Sequence, residues 1–150
     1  MVKALVVYYT VYGNTERVAK ALAKGLEDGG VKVDVVKVDT VKFEELGRVD
    51  LLVVGSPVHA WNIPKPVKEF LERLNSVEGL TGKRAFAFDT KMKSRLAGNA
   101  GGKIERKLKD LGLTIMKPSV SAIVKGREGP LEGGAEETFR QMGAEFAKML

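Results

Sequence analysis

VKALVVYYTVYGNTERVAK, residues 2–20, decides how the rest of the chain is read. Val2, Ala4, Leu5, Val6, Val7 and Tyr8 form a nearly continuous apolar run, the pattern of a strand buried on both faces of a parallel sheet. The run ends at Tyr9-Thr10, and a short polar loop follows, Thr10-Val11-Tyr12-Gly13-Asn14-Thr15. Helical spacing begins at once, with Val18, Ala19, Leu22 and Leu26 on one face and Arg17, Lys20, Lys24 and Glu27 away from it. A strand, a hydroxyl-rich loop and a helix start make a place to hold a phosphate. The free N–H groups of the first turn point at it, and the helix dipole favours its charge. Thr10, Asn14 and Thr15 add side-chain donors.

The same loop says what kind of phosphate. It carries no Lys or Arg, and Glu16 follows directly. A triphosphate with its metal wants a P-loop lysine, and neither GxxxxGK[ST] nor GxGxxG is present. A single phosphomonoester held by hydroxyls and backbone N–H groups is the better match.

Outward from this unit, Asp28-Gly29-Gly30 stops the helix, and Val31 to Val38 reads as a second strand. Val41 to Leu46 suits a helical turn. Leu51-Leu52-Val53-Val54 is a third strand ending at Gly55, and Pro66 lies near the start of a helix with Val67, Phe70, Leu71 and Leu74 on its apolar face. Lys83 to Asp89 is the fourth strand. A glycine-containing loop, Thr90 to Gly102, leads to a helix from about Lys103 to Leu111. Leu113–Met116 and Val120–Val124 form a fifth strand with a break expected at Lys117-Pro118. The last helix, about Ala135 to Leu150, places Phe139, Met142, Phe146 and Met149 in a core stripe. This alternation predicts one α/β domain over residues 1–150, a doubly wound five-stranded parallel sheet of order 2-1-3-4-5 with helices on both faces. Ligands in that order lie at the carboxyl ends of strands 1 and 3, where the winding reverses.

Composition narrows the classes. At 150 residues, with 44% hydrophobic and 29% charged, the chain is an ordinary globular mixture. No apolar run approaches the roughly 20 residues of a membrane span. The N-terminus enters a strand without a signal-peptide pattern, which together with the absence of cysteine predicts a cytoplasmic protein. Lacking cysteine and with one histidine, the chain offers no thiol chemistry or structural zinc site. The net charge of +6 is scattered among carboxylates and without aromatic interleaving, which argues against nucleic acid as a partner.

Thr10 to Thr15, followed by Val18-Ala19, resembles the FMN-phosphate loop of flavodoxins, Ser/Thr-x-Thr-Gly-Asn-Thr, with Tyr12 where many members have Thr. Flavodoxin is itself the type example of the 2-1-3-4-5 order. The resemblance covers almost the whole chain and implies that the loops after strands 3 and 4 hold the isoalloxazine. After strand 3, Ser56-Pro57-Val58-His59 resembles flavodoxin-like domains with Gly-Ser-Pro at this point, and Trp61 is the only tryptophan, suited to stack on a flavin face. Asn62 stands where flavodoxins often have the glycine whose peptide turns toward the flavin. After strand 4, Asp89-Thr90-Lys91 and Gly98-Asn99-Ala100-Gly101, before Ile104-Glu105, resemble the second flavin loop.

Two departures from the family follow. No aromatic lies between Phe88 and Phe139 to cover the second flavin face, which leaves Met92, Leu96 or a partner for that place. Flavodoxins are usually acidic, with carboxylates around the flavin, whereas Lys91, Lys93 and Arg95 lie in the flavin loop here; cations there favour the reduced, anionic flavin and predict a higher two-electron potential.

The function implied is an FMN-binding electron carrier between redox partner proteins, with no catalytic acid or base. The alternative is an FMN-dependent oxidoreductase of quinone or porphyrinogen type, handing electrons to a small-molecule acceptor. A flavin-free interaction module is the third reading; a receiver domain is excluded, because Tyr8-Tyr9-Thr10 stands where such domains need clustered carboxylates.

Overall fold

The computed structural model describes residues 1–59, 62–94 and 98–150. The elements in chain order are β1 (Lys3–Tyr8), α1 (Asn14–Asp28), β2 (Lys32–Lys37), β3 (Leu51–Pro57), α2 (Lys65–Arg73), β4 (Arg84–Met92), α3 (Ala100–Asp110), β5 (Thr114–Ile115), β6 (Val120–Val124) and α4 (Ala135–Met149). Short 3-10 turns at Val38–Thr40 and Phe43–Arg48 fill the β2–β3 connection.

All strand pairs are parallel, in the order β2-β1-β3-β4-β5, with β6 also on β4. In register, Val6 lies beside Val35 on one side and Val53 on the other, and Val53 beside Phe86. The fifth position of the sheet is therefore shared by two segments. β5 pairs with the start of β4 and β6 with its end, and Lys117-Pro118 lies in the interruption, since proline has no N–H for the ladder.

Strand alternation sorts β1 between two cores. Ala4, Val6 and Tyr8 pack with α1 and α4 through Val18, Leu22, Leu26, Phe139 and Phe146. Leu5 and Val7 pack with α2 and α3 through Val67, Phe70, Ile104 and Leu108. In the first core, Phe86 meets Phe146 at 5.0 Å and 65°, and Phe88 meets Phe139 at 5.2 Å and 70°, both edge-on as ring quadrupoles prefer. Gly55 makes room for one of these rings: a Cβ there would stand 2.1 Å from Phe88 Cζ.

Three expectations need correction. β4 continues through Thr90, Lys91 and Met92, because Thr90 still pairs with Pro57 of β3 and β6 offers Ile123 and Val124 as ladder partners to Lys91 and Met92 beyond it. α3 begins at Ala100 rather than near Lys103, because Asn99 caps it by accepting the Gly102 N–H at 2.7 Å. Met149 is 52% exposed rather than in the core, since the end of α4 turns Ala147 and Leu150 to the core in its place, while Phe139, Met142 and Phe146 are buried. Among the described residues no helix is long and apolar enough to cross a membrane.

At the carboxyl end of β1 the Tyr8 phenol is held above its ordinary pKa, first by burial and then by the Glu16 carboxylate; Lys20, paired with Glu16 at 2.6 Å, opposes this. The preference is for the neutral form, so its stabilisation is complete below the ordinary tyrosine value of about 10 and is lost as pH rises through the folded value. Glu16→Gln is expected to lower the Tyr8 ionisation midpoint without returning it to the ordinary range. Tyrosinate absorbance, referenced to Tyr8→Phe, reads this directly; an unchanged midpoint would mean that the carboxylate has no influence.

Candidate functional site

The loop between β1 and α1 is built to present N–H groups. Gly13, at φ 91°, takes the left-handed conformation at the N-cap, and no side chain caps the helix. Its own N–H donates to Thr10 Oγ1 at 2.9 Å. The first N–H to reach back along the helix is that of Arg17, to Gly13 O at 3.1 Å. The N–H groups of Asn14, Thr15 and Glu16 are thus the orphan donors of the first turn. Thr15 Oγ1 and Thr90 Oγ1, both buried, share a hydrogen bond of 2.8 Å. One hydroxyl donates to the other, so one hydroxyl proton of the pair remains for a ligand, as does that of Thr10, whose oxygen already accepts from Gly13. Donors converge here in excess of acceptors, and this fits the phosphate of FMN.

These groups open on a cavity of about 240 Å³ at the carboxyl edge of the sheet. Of the residues predicted for the site, it is lined by Thr10, Val11, Tyr12, Asn14, Thr15, Pro57, Val58, His59, Thr90 and Lys91. β1, β3 and β4 deliver them to one place because the winding reverses between β1 and β3. No carboxylate is among the described lining residues.

The other predicted residues stand around this cavity and shape its loops. Ser56 is buried and donates to Pro57 O at 2.8 Å. His59, exposed, and Asn62 exchange two backbone hydrogen bonds of 2.8 Å, and Asn62 Oδ1 accepts from the Ile63 N–H and from Lys103 Nζ. Trp61, Arg95 and Leu96 lie outside the described residues. Asp89, 1% exposed, accepts the Gly101 N–H through Oδ2 at 2.9 Å, while its Oδ1 has no hydrogen-bond partner among the described residues. The carboxylate thereby anchors the first turn of α3, where its charge suits the helix dipole. Ala100 and Gly101 are buried in that turn; a Cβ on Gly101 would come within 3.3 Å of Asp89 Oδ2. Gly98 O accepts from Lys91 Nζ at 3.3 Å.

Two lining residues escape sequence reasoning, Val124 and Arg127. They come from β6 and the turn after it, which the register of β6 on β4 carries to the same edge. The only sequence signal is topological, a Gly- and Pro-rich loop following the last strand. That loop is tied to α1 by Asn14 Nδ2, which donates to Glu128 O at 3.2 Å, and the start of α4 beyond it by Arg17, which is bidentate to Glu136 at 3.1 and 3.2 Å. Asn14, expected as a ligand donor, is therefore a clasp as well, with one amide proton still available. Among the described residues no group of His, Cys, Asp or Glu is placed to hold a metal ion.

A parallel sheet of this order, with an uncharged N–H seat after β1 and residues from the ends of β3, β4 and β6 around the same cavity, is the architecture of mononucleotide-binding α/β proteins. The family model for flavodoxin matches residues 6–142, and the chain belongs to the flavodoxin family, whose members bind FMN and transfer electrons. A probable flavodoxin of Bacillus subtilis (strain 168) is 30% identical over 154 residues, spanning 99% of this chain and 96% of its own length. A solved flavodoxin from the domain Archaea superposes with a TM-score of 0.86 at 28% identity, covering 98% of this chain and 97% of that one. An NAD(P)H dehydrogenase (quinone) of Acidovorax ebreus (strain TPSY) is 32% identical over 111 residues, which are 59% of this chain and 56% of the relative. The chain spans about half the length of the curated quinone dehydrogenases it matches.

Proposed function

We propose that the chain holds FMN in this cavity and carries electrons between redox partner proteins. The observation that carries the reading is the set of unpartnered donors at the start of α1, with the Thr15–Thr90 pair beneath them. Bound FMN supplies the redox chemistry. The protein's share is to seat the phosphate, orient the ring and set its surroundings. In this reading Thr10, Thr15 and the first-turn N–H groups hold the phosphate, and Gly13 lets the backbone turn around it. Pro57, Val58, His59, Trp61 and Asn62 flank one side of the ring. Thr90, Lys91 and the Gly98–Gly101 run, held in place by Asp89, flank the other.

A second reading, reduction of a quinone-type acceptor by NAD(P)H through the same FMN, is favoured by the similarity to NAD(P)H dehydrogenase (quinone) sequences. The two are separated by what the FMN-loaded protein does alone: a carrier shows no NAD(P)H oxidation with a soluble quinone, whereas the enzyme turns over.

The deciding measurement for both is a titration of the purified protein with FMN. Flavin bands shifted from those of free FMN, loss of flavin emission and quenching of Trp61 are the expected results. Unshifted bands and undiminished emission at excess protein, with Trp61 unquenched at excess FMN, would reject both redox readings.

A further inference from the structure

The β1–α1 loop is uncharged, yet the fold brings a cation to it from more than a hundred residues away. Gly126–Gly129 is a four-residue turn closed by the Gly129 N–H donating to Gly126 O at 3.0 Å. The strands leading into and out of it are zipped by Lys125 N–H to Pro130 O (2.9 Å) and Glu132 N–H to Ile123 O (2.8 Å). The turn leans on the phosphate loop: Asn14 donates to Glu128 O, and a Cβ on Gly129 would stand 3.0 Å from the Asn14 amide. Gly129 also has φ 112°, so no other residue replaces it without strain. Arg127 is thereby fixed one residue from the contact with Asn14, and it lines the cavity.

The other cations nearby are already engaged. Arg17 is held by Glu136, Lys20 by Glu16 and Lys91 by Gly98 O. Arg127 makes no ion pair or side-chain hydrogen bond among the described residues, including with its neighbour Glu128. A guanidinium lining the same cavity as the orphan N–H donors, with no carboxylate among the described lining residues, is half of a charge-assisted contact.

We propose that Arg127 is a specificity-determining residue that pairs with the phosphomonoester of the bound flavin nucleotide, adding a charge to a seat otherwise made of hydroxyl and N–H groups. This rests on the reading of the cavity as the FMN site. It makes the chain discriminate between FMN and riboflavin more strongly than the β1–α1 loop alone would allow. The pairing depends on the turn staying clasped to Asn14, so affinity for the nucleotide is coupled to a loop on the far strand of the sheet.

The test is a pair of fluorescence titrations, with FMN and with riboflavin, on the parent, Arg127→Gln and Arg127→Lys. Arg127 is exposed and unpaired, so folding is not expected to change, and thermal unfolding of each variant checks this. Arg127→Gln should weaken FMN about tenfold, the scale of one partly solvated charge-assisted contact, and leave riboflavin unchanged within about twofold. Arg127→Lys should recover most of the loss, since the charge is restored without the fork. The FMN advantage of the parent should shrink as salt rises, and that of Arg127→Gln should shrink less. An FMN-to-riboflavin ratio that is the same in parent and Arg127→Gln overturns the proposal while leaving the FMN reading intact. A parent that binds neither ligand overturns the reading beneath it.

Discussion

Gly143→Ala is expected to unfold at a temperature about 6–12 °C below the parent, a loss of about 3 kcal/mol for a chain of this size. The intrinsic preference runs the other way, since alanine in a helix interior is worth about 1 kcal/mol over glycine. What overrides it is the approach of α1 and α4. A Cβ on Gly143 would lie 2.1 Å from Leu22 O and 2.9 Å from Leu26 N, and one on Gly25 would lie 1.9 Å from Arg140 O. These are backbone atoms of the facing helix, so no rotamer change relieves the clash. The helices must separate, loosening Leu22, Leu26, Phe139 and Phe146 together. Gly133→Ala is the control, as nothing lies within 4 Å of the added methyl and φ is ordinary; it should stay within about 0.5 kcal/mol of the parent. Gly25→Ala on top of Gly143→Ala should cost less than it does alone, because the first substitution has already parted the surfaces. A Gly143→Ala protein melting within a degree or two of the parent would show that the helices are not packed this closely.

That contact also shows where sequence reasoning stops. The apolar spacing of Val18, Ala19, Leu22 and Leu26 identifies the buried face of α1, because burial leaves a periodic mark in residue type. Gly25 and Gly143 leave no such mark, since a helical glycine reads as a weakness until its partner helix is known. The same division runs through the site. The β1–α1 loop is legible because its donors are consecutive, and strand and helix patterns on either side fix its geometry. Asp89 is legible as a residue of the fourth strand, though β4 runs three residues past it, and its bond to the Gly101 N–H depends on α3 starting at Ala100, which a glycine pair in the first turn disguises. Arg127 belongs to neither pattern. Its place at the cavity follows from the register of β6 on β4 and from the Asn14 clasp, both long-range contacts with no local signature.

Thr15→Val is expected to weaken FMN by roughly tenfold to a hundredfold while changing riboflavin by no more than about threefold, as loss of a hydrogen bond to a charged group predicts. The substitution keeps the shape of a buried side chain, so it opens no cavity. It also leaves Thr90 Oγ1 buried without its partner, which should lower stability by about 1–2 kcal/mol. Those two effects are separable. Thr15→Val combined with Thr90→Val removes both ends of the buried hydrogen bond, and stability should return toward that of the parent, because no polar atom is then stranded. FMN affinity should stay low, because the hydroxyl proton the pair offered to the phosphate is gone. If affinity recovered together with stability in the double variant, the hydroxyl pair would be serving the packing of β4 against α1 alone, and the phosphate seat would reduce to Thr10 and the first-turn N–H groups. Calorimetry and paired FMN and riboflavin titrations on the three proteins decide between these outcomes. The comparison rests on one 2.8 Å contact joining the first turn of α1 to β4, the point at which the fold's topology and its candidate chemistry coincide.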